Sequence, residues 1–309
     1  MTIIYIEKNM NHSDANSIAS TSSGFDQRDG FIWVDGRLVP WKEAKLHVLS
    51  HGLHYASSIF EGERAYNGKI FKSREHSQRF LRSAEYLNFE LPYSVDELIM
   101  AKDKVLEASG LRNAYVRPIA WRGSEMIQVA SRNNSTHVAI AVWDWPSMFA
   151  PEERMKGIRL DIAQYRRPAP DTAPIHAKSA GGYMIATISK DLAEQDGFAD
   201  ALMLDYEGYV AEATGANIFF VRNGVLHTPK ADRFLNGITR QTVLEIAAEM
   251  QIEVIEERIS VSQLGHFSEC FLTGTGAEIT PVAAIKESLF NPGKVTQLLM
   301  QKYDQLIGK

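Results

Sequence analysis

FIWVDGRLV, residues 31–39, sets an apolar segment on either side of Asp35-Gly36. That dipeptide tolerates positive φ at both positions of a two-residue turn, so the stretch reads as a β-hairpin and the fold opens with antiparallel sheet. RAYNGKIF (64–71) repeats the device around Asn67-Gly68, and a third such turn lies at Asn223-Gly224. Helices follow the second hairpin. REHSQRFLRSAEYLNF (74–89) spaces Phe80, Leu81, Ala84 and Leu87 along one helical face. SVDELIMAKDKVLEASG (94–110) opens on a Ser94/Glu97 capping box and stops at Gly110. AYVRPIAW (114–121) and HVAIAVWDW (137–145) return to strand, and WPSMFAPEERMKG (145–157) breaks both periodicities.

Beyond that break, IRLDIAQY (158–165) reads as a strand and a helix runs from Gly182 to about Gln195. DALMLD (200–205) and GYVAEATGANIFFV (208–221) read as strands. After FLNGITR (234–240) a helix continues through QTVLEIAAEM (241–250), and EVIEERIS (253–260) and CFLTGTGAEITPVAAI (270–285) supply further strands. Short strands and hairpins interleaved with a few helices, without regular βαβ alternation, give an α+β fold. The expected organisation is a flexible leader over residues 1–30, a small domain over 31–144, a linker over 145–157 and a larger domain over 158–309.

At 309 residues, 45% hydrophobic and 23% charged, the chain has the composition of a soluble globular protein able to bury a large core. Its formal charge of −5 offers no basic excess for a phosphate backbone, which argues against nucleic acid as a partner. Cys270 is the only cysteine, which excludes an intrachain disulfide framework and a Cys-based zinc site and fits a reducing, cytoplasmic compartment. No apolar run approaches the roughly 20 residues that span a bilayer, and the N-terminus lacks a basic segment followed by an apolar one. No membrane partner and no secretory signal are expected.

Chemistry is best sought around APIHAKSAGGYM (173–184), where Lys178 stands among Ala, Ser and Gly. A lysine is ordinarily a solvated surface residue, but one held in a desolvated pocket sheds its proton more readily and forms a Schiff base with a carbonyl. A phosphorylated aldehyde at Lys178 then needs an anion cradle, and NGITR (236–240) supplies Gly237 and Thr239 at the start of a helix. TGTG (273–276) is a second small-residue turn, and Arg79 is a candidate bidentate cation. Glu212, in an apolar strand, is a candidate partner for a ring nitrogen or else an outward-facing carboxylate. Tyr183 is a candidate donor to a phenolic oxygen or an amphipathic core residue. His47, His51 and His54, spaced by four and three, form a competing metal-like cluster. Glycine and serine interrupt that helix and no HExxH or acidic companion follows, so packing near a turn is the preferred reading and no metal is expected. The chain also lacks a G-x-S-x-G elbow.

With these segments in order, the chain resembles the fold type IV pyridoxal-phosphate enzymes, and among them the bacterial branched-chain amino-acid aminotransferases. The resemblance spans roughly residues 31–309 and rests on SHGLHYASSIFEGERAY, REHSQRF, AYVRP, HAKSAGGYM, GYVAEATGANIFFV, LNGITR and TGTGAEITPV. It implies a small α/β domain and a larger pseudo-barrel domain, pyridoxal 5′-phosphate between them, and a homodimer or dimer-based hexamer. By the same resemblance Lys178 is the catalytic lysine, Glu212 pairs with the pyridinium nitrogen and Tyr183 donates to the phenolic oxygen. Arg79, Gly237, Ile238, Thr239 and Thr275 form the phosphate cradle. Thr275 and Gly276 receive the substrate α-carboxylate. Tyr115, Arg117 and Arg64 form a polar wall for a glutamate side chain, Phe60, Tyr183 and Trp145 an apolar one, and Tyr55 comes from the neighbouring subunit. The implied activity is reversible transamination between Leu, Ile or Val and 2-oxoglutarate. D-amino-acid aminotransferases, (R)-selective amine transaminases and aminodeoxychorismate lyase share the same lysine, glutamate and cradle. Two departures stand out: Ala56 replaces a frequent glycine after Tyr55, and Glu63 beside Arg64 is expected to pair with it and weaken its attraction for a carboxylate.

Overall fold

The computed structural model describes residues 24–145 and 154–309. Residues 1–23 of the expected leader and 146–153 of the expected linker lie outside the described residues. The end of that leader packs on the body: the Phe25 ring meets Trp143 edge-on at 5.4 Å, and the Phe25 carbonyl accepts from Trp41 Nε1 at 2.5 Å.

All three dipeptides make the expected turns. They join β1 (Phe31–Val34) to β2 (Arg37–Pro40), β4 (Glu63–Tyr66) to β5 (Lys69–Ile70), and β11 (Asn217–Arg222) to β12 (Val225–Pro229). Both residues of each turn have φ between 45° and 95°, as a type I′ hairpin requires. The first sheet is antiparallel, in the order β2-β1-β7-β6-β4-β5, with β6 at Ala114–Arg122, β7 at Thr136–Asp144, and β3 (Ser58–Phe60) also paired to β6. Helices α2 (Ser73–Tyr86) and α3 (Val95–Ser109) cover one face, where Phe80, Ala84, Leu98 and Val105 pack on Val116, Ala120, Val138 and Ile140. The Ser94/Glu97 capping box starts α3, and Gly110, at φ 68°, ends it.

The second sheet runs β10-β9-β8-β15-β14-β11-β12-β13, with β8 at Ile158–Ile162, β9 at Asp200–Leu204, β10 at Val210–Ala213, β13 at Val254–Glu257, β14 at Glu269–Gly274 and β15 at Glu278–Ile285. Its edge strand β10 returns against β11 and β12, curling the sheet into a half-barrel. The helix expected from Gly182 begins with a 3₁₀ turn over Ala180–Tyr183 and continues as α4 (Met184–Gln195), which lies against β9. Both faces of the central strands are covered. Ile218, Phe220 and Leu272 point inward to Leu160 and Leu202, while Phe219, Val221 and Phe271 lie under α5 (Ile238–Glu249) and α6 (Lys294–Leu306). Double burial explains why NIFFV reads as an unbroken apolar run rather than an alternation.

GYVAEATGANIFFV is not one strand. Glu212 pairs with Met203 on β9, whereas Asn217 pairs with Thr273 on β14, so the chain changes neighbours across Thr214-Gly215-Ala216. The mixed α+β architecture thus ends several strands around one opening between the sheets.

The histidines fix a turn around α1 (His51–Tyr55). The His51 ring lies 2.6 Å from Ser57 Oγ and 2.8 Å from the Gln128 carbonyl, His54 Nε2 lies 2.9 Å from the Val48 carbonyl, and His47 Nδ1 accepts from the Leu49 amide. Ala56 ends α1 at φ 54°, the left-handed region that favours glycine. Among the described residues no helix is long and apolar enough to cross a membrane, and no group of His, Cys, Asp and Glu is arranged to hold a metal ion.

Candidate active site

Arg79, Lys178, Tyr183, Glu212, Gly237, Ile238, Thr239 and Thr275 line a single cleft. Lys178 is held by its own backbone, through contacts to the first sheet and to α2. Its carbonyl accepts from Phe60 N at 3.0 Å, its amide donates to Ser83 Oγ at 3.0 Å, and Ser179 bridges to Ile59. The side chain then lies over the rings of Phe60 and Tyr183, and Nζ meets the Tyr183 hydroxyl at 2.5 Å. Small neighbours, Ala177, Ser179, Gly181 and Gly182, keep the ground beside it open.

Glu212 reaches the cleft from β10. Arg167 Nε stands 3.2 Å from Oε1, and Asn217 Nδ2 donates to Oε2 at 3.3 Å. Burial nevertheless pushes the carboxyl up to about 7, against the opposing pull of Arg167 and Lys178. Asn217 also ties this end to the next. Its Oδ1 accepts from the amide of Gly237, the residue that caps the start of α5, and its Nδ2 donates to the Leu235 carbonyl. The first amides of α5, including those of Ile238 and Thr239, have no intrahelical acceptor and face an opening where an anion is favoured.

Arg79 enters from α2 and is held by a carboxylate. Its Nε and Nη2 donate to Glu61 at 2.7 and 2.8 Å, and His76 Nδ1 sits 2.7 Å from the same group. That fork uses two of the arginine's five N–H donors and leaves both of those on Nη1 outside it. Thr273, beside Thr275, has a buried hydroxyl with no hydrogen-bond partner among the described residues.

The expected substrate wall is contiguous. Phe60 meets Tyr183 edge-on at 4.8 Å, and the Arg117 guanidinium lies 4.8 Å over Phe60. Arg117 Nη2 donates to the Tyr115 hydroxyl at 3.2 Å, and Tyr115 packs on Trp145 at 4.9 Å. Gly276 faces both rings: a Cβ there would stand 3.6 Å from Trp145 and 3.9 Å from Tyr115. Arg64 joins through Trp145, whose carbonyl accepts from Nη2 at 3.3 Å. Tyr55 is not brought in. It is 46% exposed and lines a neighbouring cavity beyond Gly182.

Glu63 does not pair with Arg64. Adjacent strand residues point to opposite faces, and Glu63 is buried against Lys102 Nζ at 2.8 and 3.0 Å, while Arg64 faces Glu278. Four further residues shape the site without having been singled out in the sequence: Arg167, Asn217, Glu61 and Ser83. Glu61 and Asn217 sit inside quoted motifs, but Arg167 meets Glu212 from 45 residues away and carries no local signal.

The family model described as Amino-transferase class IV matches residues 58–285. A relative from Rickettsia conorii, named "Probable branched-chain-amino-acid aminotransferase", is 45% identical over 280 residues, 89% of this chain and 95% of its own length. The branched-chain-amino-acid aminotransferase of Pseudomonas aeruginosa is 38% identical over 288 residues, 91% of this chain and 94% of its own. Among solved structures, the T.th. branched-chain amino acid aminotransferase with pyridoxamine 5′-phosphate superposes with a TM-score of 0.88 at 39% identity, covering 91% of this chain and 94% of its own. That enzyme has also been solved with N-(5′-phosphopyridoxyl)-L-glutamate and with 4-methylvaleric acid. With the family model covering most of the chain and these relatives nearly all of it, the chain belongs to the class IV aminotransferases and, within them, to the branched-chain-amino-acid aminotransferases.

Proposed function

We propose that this protein moves an amino group reversibly between Leu, Ile or Val and 2-oxoglutarate, with pyridoxal 5′-phosphate in the cleft. The observation that carries the reading is the convergence of Lys178, Tyr183, Glu212, Arg79 and the start of α5 on one opening. The fit is chemical as well as spatial. Glu212 retains acceptor capacity for a protonated ring nitrogen, the Thr273 hydroxyl, without a partner among the described residues, and the first α5 amides suit a phosphate, and Arg79 keeps donors to spare.

In this reading Ile238, Thr239, Thr275, Gly237 and Arg79 hold the phosphate, Glu212 the ring nitrogen and Tyr183 the phenolic oxygen. The bound cofactor supplies an aldehyde for the amino group and a ring that draws electrons from the substrate Cα. Lys178 Nζ, once free, moves a proton at that Cα, and the Tyr183 hydroxyl keeps the amine aimed. The α-carboxylate sits at Thr275-Gly276, and the side chain lies along Phe60, Tyr183 and Trp145. Arg117, Tyr115 and Arg64 receive the second carboxylate of glutamate, so one pocket serves both substrate classes. The T.th. enzyme, with its glutamate adduct and its 4-methylvaleric acid complex, supports such dual use. We further assign Tyr55 to the site of a second copy, in a cytoplasmic homodimer or dimer-based hexamer.

The test is the visible spectrum of the cofactor-loaded protein as L-leucine, D-alanine and aminodeoxychorismate are added separately without a 2-oxo acid. Bleaching of the yellow band by L-leucine alone is expected. Bleaching by D-alanine, or pyruvate formed from aminodeoxychorismate, overturns the substrate assignment and leaves the cofactor assignment standing.

A further inference from the structure

Behind the substrate wall lies a buried charge cluster centred on Glu278. Its Oε1 accepts from the Tyr66 hydroxyl at 2.8 Å and from Lys309 Nζ at 2.5 Å, and its Oε2 accepts from the same Nζ at 2.7 Å. Two arginines stand farther off, with Arg64 Nη1 3.7 Å from Oε1 and Arg154 Nη2 3.8 Å from Oε2. Arg154 is itself committed to Asp304, at 2.8 Å. Among the described residues the cluster sets the side chains of three cations, Arg64, Arg154 and Lys309, against the carboxylates of Glu278 and Asp304.

The excess charge falls on Arg64. Arg64 is 4% exposed, and among the described residues its Nε is buried without a hydrogen-bond partner and its Nη2 donates only to the Trp145 carbonyl, at a long 3.3 Å. Lys309 lies closer to Glu278 than Arg64 does and occupies both carboxylate oxygens. Without Lys309, the one hydrogen-bond donor left to Glu278 among the described residues is Tyr66, and the nearest cation not paired to another carboxylate is Arg64, at 3.7 Å. A neutralised Arg64 attracts a substrate carboxylate less.

We propose that Lys309 is a positioning residue for acceptor choice: by saturating Glu278 it keeps Arg64 from closing on that carboxylate and leaves it available to the second carboxylate of a dicarboxylic substrate. The inference rests on the proposed function, in which Arg64 belongs to the wall that receives that carboxylate. Lys309 itself touches neither substrate nor cofactor.

Steady-state kinetics of the holoenzyme, with L-valine as donor, separate the possibilities. Lys309→Ala raises KM for 2-oxoglutarate about three- to fivefold and leaves KM for 4-methyl-2-oxopentanoate and both kcat values near wild type. Lys309→Arg retains wild-type values. In Lys309→Ala/Glu278→Gln, where position 278 no longer carries the charge that would capture Arg64, KM for 2-oxoglutarate returns toward wild type. An unchanged KM in Lys309→Ala overturns the inference, as does an equal loss on both acceptors or a double variant as impaired as the single one. Wild-type protein that turns over 4-methyl-2-oxopentanoate but not 2-oxoglutarate overturns the acceptor reading itself, and the role of Lys309 with it.

Discussion

Glu61 and Glu212 both lie beside the cleft and largely out of water, yet one is saturated by protein donors and the other is not. Glu61 accepts one bond from Arg79 on each oxygen and faces His76 at Oε2, with a further amide contact from Gly62. Burial alone would raise its pKa, but Arg79 and His76 together outweigh it and hold the carboxyl well below the usual range. Glu212 meets Arg167 and Asn217 at longer range, and there burial wins. The difference separates two uses of a buried carboxylate: Glu61 commits its charge to orienting an arginine, whereas Glu212 keeps capacity for a cationic group on a ligand.

The largest effect expected falls between these two ends, at Lys178. Lys178→Ala should reduce amino transfer roughly 10³-fold, the scale of a lost proton-transfer group, with an unchanged circular dichroism spectrum. Full turnover in that variant would sink the assignment of the cleft. The comparison itself is broken or kept by two matched substitutions. Glu61→Gln leaves the buried Arg79 charge uncompensated and should destabilise the cofactor-free protein by about 3 kcal/mol in urea denaturation. Near pH 5, where the Glu212 carboxyl is still protonated in the folded protein, Glu212→Gln should shift that stability by less than about 1 kcal/mol, and yet slow the loaded enzyme at neutral pH by about 100-fold. Equal stability losses for both would show that the two carboxylates are not handled differently.

A pH series sharpens the contrast. The folded Glu212 carboxyl, at about 7, binds its proton more tightly than the unfolded chain's carboxyl at 4.5. Its contribution to stability is full below pH 4.5 and is lost as the pH rises toward 7, a decline of up to about 3 kcal/mol. Glu61 runs the other way: its lowered pKa gives a contribution present above 4.5 and lost as the pH falls below it. Stability differences between wild type and each glutamine variant isolate the two. The Glu212 difference should slope downward between pH 4.5 and 7, and the Glu61 difference should be flat there. A flat Glu212 difference would mean that Arg167 and Asn217 stabilise the charge more than their distances suggest.

Features carried by adjacent residues were legible in the sequence. The Asp-Gly and Asn-Gly turns, the Ser94/Glu97 box and the glycine opening α5 each encode their conformation in two to four positions, and all three types stand as expected. The family motifs brought eight residues to one cleft because those residues sit at strand ends and helix starts that the motifs themselves build. What was not legible depends on partners far along the chain. Thr214-Gly215-Ala216 breaks a strand because β10 and β11 bond to different neighbours, and apolar residues on either side conceal the switch. Arg167 finds Glu212, and Arg79 finds Glu61, only through the folded sheet order. The mistaken pairing of Glu63 with Arg64 is of another kind, since the two-residue period of a strand was enough to place them on opposite faces.

Asn217 joins the two ends of the cleft. One side-chain nitrogen serves Glu212 and the Leu235 carbonyl, and the oxygen accepts from Gly237 N at 3.0 Å. The residue is 4% exposed, so truncation strands a backbone amide and a carbonyl in a nearly dry environment. Asn217→Ala should therefore cost about 1–2 kcal/mol of stability. It should also weaken cofactor retention, because the start of α5 loses the contact that fixes its amides toward the opening, and dialysis followed by fluorescence of the released cofactor measures this. Asn217→Asp keeps the acceptor for Gly237 but sets a second carboxylate beside Glu212, which raises the Glu212 pKa further. If Asn217 acts at both ends, alanine loosens the phosphate end and aspartate chiefly disturbs the ring end. Identical retention and identical pH profiles for the two variants would reduce Asn217 to a packing residue and uncouple the two halves of the cleft.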